Sequence, residues 1–469
     1  MADKRRIAAT SGRVLTGVVG VVVFLGAGLV VGQAALPVLA VNAPKTTVTP
    51  TASDQSRLCA GPLLRQGGVA SFASFAAPEL TTAASSAPEQ TVIAAPDNLT
   101  GDQFGTPTVL SVSGGEGEER PRIAAAQSQV AGLDDLTGLA AAACGEASAD
   151  SWLVAGSTDV GRTSVLSLSN PSRADAVIDL SFFSETGAID APGAKGILVP
   201  AGRNRVFAVA SFAPGVRTPV IRVQSSGGHV VAALQHSVTR GITPGGVELS
   251  LPTAPPSSTQ VLPGVVLGGS GPAPDTEIYD DSIGALRIFV PGTDPAQMNI
   301  SFVSEQGTEP PQPLNYSIQG GVVQEISLTD MAAGSYSVVI SSDLPFVASA
   351  RTTAVAGESS DFAWFGASAP LEDTIELAVA PGEGARLHLF NPTDADLDVT
   401  MTDQAGAVTQ VAVPAGEAAA TTVPSGRAYN VSGVSGAHAQ VSFESAAGLS
   451  AYPIQPTSPL ATPVTVYPR

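Results

Sequence analysis

LSLSNPSRADAVIDLSFFSETG from Leu166 to Gly187, LRIFVPGTDPAQMNISFVSEQG from Leu286 to Gly307 and LHLFNPTDADLDVTMTDQAG from Leu387 to Gly406 are one pattern written three times. A second landmark follows each: VPAG at Val199, IQGG at Ile318 and VPAG at Val413, which reads as a turn between strands. Inside the pattern apolar residues fall at every second position. They are Ala176, Ile178, Leu180 and Phe182, then Ala296, Met298, Ile300 and Phe302, then Ala395, Leu397, Val399 and Met401. Period-two alternation gives a strand one buried and one wet face, as in an antiparallel sheet packed on another sheet. The same holds toward the end of each unit, at Ile221 and Val223, at Tyr336, Val338 and Ile340, and at Ala437, Ala439, Val441 and Phe443.

Outward from the repeats, landmarks at Trp152, Val261 and Trp364 recur about every hundred residues, an ordinary length for a β-sandwich. This spacing predicts an all-β chain of tandem immunoglobulin-like antiparallel β-sandwich modules, repeat 1 over 152–260, repeat 2 over 261–363 and repeat 3 over 364–469. Residues 59–151 are less regular and read as an irregular, disulfide-closed β module, in which the Ala-rich DDLTGLAAAACG is expected to hold one short helix. The Pro-rich junction Thr253–Ser258 reads as a hinge. Composition agrees with short strands and many turns: 49 Gly and 37 Pro, with charged residues at only 13%, do not suit helices that need charged faces.

The N-terminus reads differently. Residues 1–13 form a basic tail with Lys4, Arg5, Arg6 and Arg13, and residues 14–41 are uncharged. That run exceeds the roughly 20 residues a helix needs to cross a bilayer. The positive-inside tendency keeps the tail in the cytoplasm and sends the rest out. A cleaved signal peptide shares the basic start, and Val41-Asn42-Ala43 imitates a cleavage site, but the apolar run is longer than such peptides use and Pro44 follows the cut. The expected arrangement is a single-pass signal anchor, cell-membrane localisation, a Thr/Pro-rich stem over 42–58, and extracytoplasmic modules. Two cysteines beyond that boundary, Cys59 and Cys144, are expected to form a disulfide contributing roughly 4–5 kcal/mol by loop closure.

Function is excluded more readily than assigned. The formal net charge of −19 and the absence of a Lys/Arg cluster beyond the basic tail argue against nucleic acid as a partner. No G-x-S-x-G elbow, H-E-x-x-H helix or phosphate-binding loop is present. His388 and His438 alternate with apolar neighbours and read as outward polar positions, while His229 and His236 fall on opposite strand faces and make no metal pair. Asp275, Glu277, Asp280 and Asp281, and Asp394, Asp396 and Asp398, are the acidic groups to weigh for calcium. Neither has EF-hand spacing, and solvated surface charge is the reading. No catalytic residue, cofactor site or metal site is assigned.

The basic tail and apolar anchor, the cysteine pair, the W-[LF]-x-x-[GS] segments at Trp152 and Trp364, and L-x-L-x-N-P followed by V-P-A-G together resemble an uncharacterised family of actinobacterial membrane-anchored secreted proteins. The resemblance spans nearly the whole chain. It departs in the middle repeat, which has Val290-Pro291 for Asn-Pro and lacks the tryptophan. The family is encoded near envelope glycosyltransferases, so the resemblance implies a cell-envelope role. The expectation is a non-enzymatic, membrane-tethered scaffold or binding protein with an envelope protein or glycan partner. The alternatives are a carbohydrate-binding accessory to glycan assembly and a glycan-processing enzyme.

Overall fold

The computed structural model describes residues 46–48, 54–67, 71–115, 120–267, 281, 283–307, 311–328, 331–356, 359–445, 448–456 and 464–466. These form multiple antiparallel sheets, with no α-helix among the described residues. The ribbon Thr46–Val48 with Val464–Val466 is a unit of its own. In the rest of the chain the repeated pattern places its strands on facing sheets, each such pair forming one packed unit; in the first, a four-stranded sheet faces a five-stranded one. Arg162–Ser169 pairs with Asn204–Ala208 and Val231–Arg240, while Ala176–Ser184 pairs with Val220–Gly227 and Ile197–Val199. Leu166, Leu168, Ile178, Leu180, Ile221 and Val223 from the two sheets share one core. The alternation of the second copy is likewise buried at Ala296, Met298, Ile300 and Phe302, whereas the third buries Val399 and Met401 and leaves Ala395 exposed.

The N-P and V-P-A-G landmarks are one device. Asn170 Nδ2 donates to Ala174 O at 2.8 Å and Val199 O at 3.0 Å, and Asn391 Nδ2 donates to Ala395 O at 2.7 Å and Val413 O at 3.0 Å. Each asparagine thus ties the end of one strand to both the following turn and the V-P-A-G corner. Val290 has no such side chain; there Gly321 N–H meets Val290 O at 2.9 Å, and Gln319 Nε2 of the I-Q-G-G corner donates to Thr293 O in the turn at 2.9 Å.

Four hairpins end in strands that occupy the edge of their own sheet: Thr137–Ala143, Thr243–Ser250, Ser359–Gly366 and Gly448–Pro453. These four lie side by side around a common axis, the first against the second and fourth, and the third likewise. Each sends two alternate side chains into the core of a neighbouring unit. Val247 and Leu249 enter the core of Ala131, Ala140 and Ala142, and Phe362 and Trp364 that of Leu166 and Leu234. Leu449 and Ala451 enter that of Ile288 and Ile300, and Leu139 and Ala141 that of Leu387 and Val441. The last insertion joins the N-terminal sheets to the C-terminal ones and closes a ring. Each large apolar side chain so buried contributes roughly 1.5–3 kcal/mol over exposure. The inward placement also hides four sheet edges that would otherwise offer unpaired backbone groups.

Several expectations change. Thr137–Ala143, where a short helix was expected, is an axial strand, because its alanines fit the close approach of a neighbouring sheet. Gln55–Cys59 is a strand paired with Thr108–Val112, so the stretch expected to be stem through Leu58 enters the sheet at Gln55. Cys59 and Cys144 are joined as a disulfide. The Thr253–Ser258 junction is tied down rather than free, with Ala254 N–H on Ala367 O at 2.9 Å and Gln260 Nε2 on Pro255 O at 2.9 Å. Trp152 and Trp364 are not in equivalent strands: Trp364 is axial, whereas Trp152 stands in Asp150–Leu153 against Phe289. The basic tail and the anchor at 14–41 lie outside the described residues, among which no helix is long and apolar enough to cross a membrane.

Candidate functional site

Asp361 occupies the centre of the ring. Its Oδ2 accepts the N–H of Leu139 at 2.8 Å and Leu449 at 3.0 Å, and its Oδ1 that of Val247 at 3.2 Å and Phe362 at 3.0 Å. One donor therefore comes from each axial strand. At the positions matching Asp361 the other strands carry Gly138, Gly246 and Gly448, and a Cβ on either of the first two would stand 2.5 Å from Asp361 Oδ1. Only one of four positions has room for a side chain. Glu248, one step along, accepts from Ser450 Oγ at 2.8 Å and Leu249 N–H at 2.8 Å. Burial pushes Asp361 up to about 7, against the pull of its four N–H donors, and burial likewise holds Glu248 well above the carboxylate range.

The joints between units are polar too. Arg287 is fully buried, with Nε on Glu325 Oε1 at 2.9 Å and Nη1 on the carbonyls of Gly156 at 2.9 Å and Pro219 at 3.0 Å. Its guanidinium lies 4.4 Å from the ring centre of Trp364, whose Nε1 donates to His236 Nδ1 at 3.2 Å. Burial, with Arg351 and Arg287 nearby, drives His236 down to about 3, so it joins the stack as a neutral imidazole.

His388 and His438 do not face solvent, contrary to expectation. An alternating polar position points away from its own core, and here that direction is a neighbouring unit. His438 Nδ1 meets Ser368 O at 3.0 Å, and burial lowers it to about 4. His388 Nδ1 lies 2.8 Å from Glu305 Oε1 and its Nε2 2.7 Å from Ser442 Oγ. Serine, histidine and carboxylate in this order have the connectivity of a nucleophilic triad. The site is sealed, however: Ser442 and His388 are 0% exposed, and Gly264, at φ +64°, presses so closely that a Cβ there would sit 2.1 Å from the imidazole Cγ. With no path for a substrate, the three act as a lock between units. A fluorophosphonate is expected to leave Ser442 unlabelled in the native chain, and stoichiometric labelling detected by peptide mass would reverse that assignment.

Of the acidic groups weighed for calcium, Asp275, Glu277 and Asp280 lie outside the described residues. Asp281 is buried between two guanidiniums, Arg162 Nε at 2.9 Å and Arg240 Nη2 at 2.8 Å. Burial alone would raise it, but the Arg162 hydrogen bond and the charges of Arg240 and Arg351 prevail and hold it near 2. Among the described residues no group of three potential ligands is placed to hold a metal. Asp281→Asn is expected to cost about 3 kcal/mol, because both arginines lose their counter-charge. A depressed carboxyl stabilises above its unfolded pKa, and its contribution disappears as pH falls toward 2, so wild type and variant should converge in acid unfolding curves.

Among the described residues, two of the recesses are roomy enough to consider. One of about 250 Å³ is walled by Trp152, Pro252, Ala254, Ala367, Pro453 and Ile454, where the chain leaves three axial strands. The other, about 750 Å³, lies between the N-terminal and C-terminal sheets and carries Glu79, Gln129, Glu383 and Thr422. No sequence signal indicated either, since both arise where distant segments meet.

Comparison with known proteins adds little chemistry. No curated protein matches the chain. Among solved structures it is similar to Thermotoga maritima 1070, at 16% identity over 24% of this chain and 92% of that one with a TM-score of 0.20. It is also similar to the Anabaena sensory rhodopsin transducer, at 15% identity over 20% and 94% with a TM-score of 0.18. Chicken CNTN1 FN1–FN3 domains match at 12% identity over 69% and 100% with a TM-score of 0.10. Scores this low inform neither fold nor activity. A family of unknown function (DUF5719) matches residues 100–424.

Proposed function

The chain belongs to this family of unknown function, DUF5719, and we propose that it is a non-enzymatic, membrane-tethered scaffold or binding protein of the bacterial cell envelope. In this reading its sheets are tandem immunoglobulin-like sandwiches, held outside the membrane by a single helix over residues 14–41, in a protein of actinobacterial type. The observation that carries it is the closed ring. Buried ionisable groups are committed to joints between units: Asp361 to four backbone N–H groups, Arg287 to Trp364 and Glu325, His388 to Glu305 and Ser442. A chain so jointed keeps its outer surfaces in fixed relation, which suits presentation of binding sites better than chemistry. Trp364 is buried in a joint, and Trp152, though it borders a recess, is 5% exposed and packs on Phe183 and Phe289, which favours a structural role over a sugar platform.

In-cell crosslinking of the anchored protein tests this, with residues 42–469 added outside as competitor. A specific envelope protein displaced by the competitor is the expected result. Recovery of glycan alone supports the carbohydrate-binding alternative, and recovery of nothing removes the scaffold reading.

A further inference from the structure

Asn204–Ala208 and Ala418–Thr422 are the same strand in two units. Ser169, just before Asn170, faces Asn204, and Phe390, just before Asn391, faces Ala418. Asn204, Arg205 and Val206 therefore correspond to Ala418, Ala419 and Ala420. Both strands are edges of their sheets. The first edge is covered by the chain itself. Ala94 donates to Gly202 O at 3.1 Å and accepts from Asn204 N–H at 2.8 Å, a parallel bridge. Three residues on, Asp97 Oδ2 accepts from Val206 N–H and Arg205 Nε, both at 2.9 Å. An extended segment with one charged side chain thus satisfies the outward N–H groups of 204 and 206.

The second edge has no such cover among the described residues. Val423 N–H bonds inward to Ala385 O at 3.1 Å, so strand alternation turns the N–H groups of Ala418, Ala420 and Thr422 outward. The strand contains neither charge nor proline, the usual means of discouraging edge pairing. Thr422 at its end opens onto the recess of about 750 Å³. Glu79 and Glu383 stand in the wall, and among the described residues no lysine or arginine does.

We propose that Ala418–Thr422 is a strand-addition site for an extended, basic segment of a partner protein. The segment pairs with the N–H groups of 418, 420 and 422 and places a lysine, arginine or terminal amine in the recess beside Glu79 and Glu383. This rests on the binding-scaffold reading and specifies the chemistry of its partner. A second copy of the chain is a poor occupant, because a net charge of −19 on each would oppose pairing.

The probe is a seven-residue peptide alternating threonine and valine with a lysine at one or the other end, titrated into the full chain by fluorescence anisotropy. Saturable binding is expected, weakened roughly tenfold or more by Ala420→Pro and by N-methylating alternate peptide amides, each of which removes backbone pairing. Proline is tolerated there because the lost N–H points outward. Should that variant misfold, the N-methylated ligand still decides. Glu79→Gln with Glu383→Gln should remove the preference for lysine over norleucine. Absence of saturable binding, or equal binding of the methylated peptide, overturns the proposal, as does self-association of the chain abolished by Ala420→Pro without peptide binding. If wild type and Ala420→Pro capture the same crosslinked partner equally, strand addition falls while the scaffold reading stands.

Discussion

Asp361→Leu is expected to lower stability by about 5 kcal/mol, the larger of two effects that follow from the ring. The substitution leaves four buried N–H groups without an acceptor, each costing about 1–3 kcal/mol, and forces branched carbon against Gly138 and Gly246. Relief of the buried charge returns part of this. Denaturant unfolding measures the difference, and a loss under about 1 kcal/mol would remove Asp361 from the account as a hub. A pH dependence accompanies it. Burial raises the carboxyl from 3.8 to about 7, so the folded chain holds the proton more tightly than the unfolded chain does. The resulting stabilisation is complete below about pH 3.8, falls as pH rises, and is gone above about 7. Relative to Asp361→Asn, which cannot ionise, wild type should lose roughly 4 kcal/mol across that window.

Arg287→Ala should cost about 4–5 kcal/mol. It takes the guanidinium away from the Glu325 carboxylate and from the carbonyls of Gly156 and Pro219, and it removes the cation from the face of Trp364. Because these acceptors belong to different units, the variant should also broaden the unfolding transition as one joint melts ahead of the rest. Arg287→Lys restores the charge but not the planar fork, and should recover under half of the loss. A sharp transition with unchanged midpoint in Arg287→Ala would mean that the joint adds nothing to cohesion.

The strands were legible because their alternation is local: Ala176 to Phe182 and Ala296 to Phe302 bury the faces their spacing implies. The disulfide was legible because there were only two cysteines. The ring was not, because what closes it is a polar residue on a strand's second face, and alternation says only that such a residue leaves its own core. His388, Asp361 and Arg287 all leave one core to enter a contact with another unit, a long-range fact absent from any window of sequence. The alanines of 140–143 misled for a related reason. Their helix propensity is real, but it yields to the tight packing that only small side chains allow beside Val247 and Leu249. A signal was nonetheless present: Gly138, Gly246 and Gly448 each stand early in the second strand of a hairpin, and a glycine there marks close approach by something else.

Amide hydrogen exchange at Leu139, Val247, Phe362 and Leu449 tests the closed ring most directly. If the four N–H groups meet at one carboxylate, they should exchange together, as slowly as global unfolding allows, and all four should lose protection in Asp361→Leu. Unrelated rates in the wild type, with Leu139 or Leu449 unaffected by the substitution, would contradict closure and leave the units as beads on a chain.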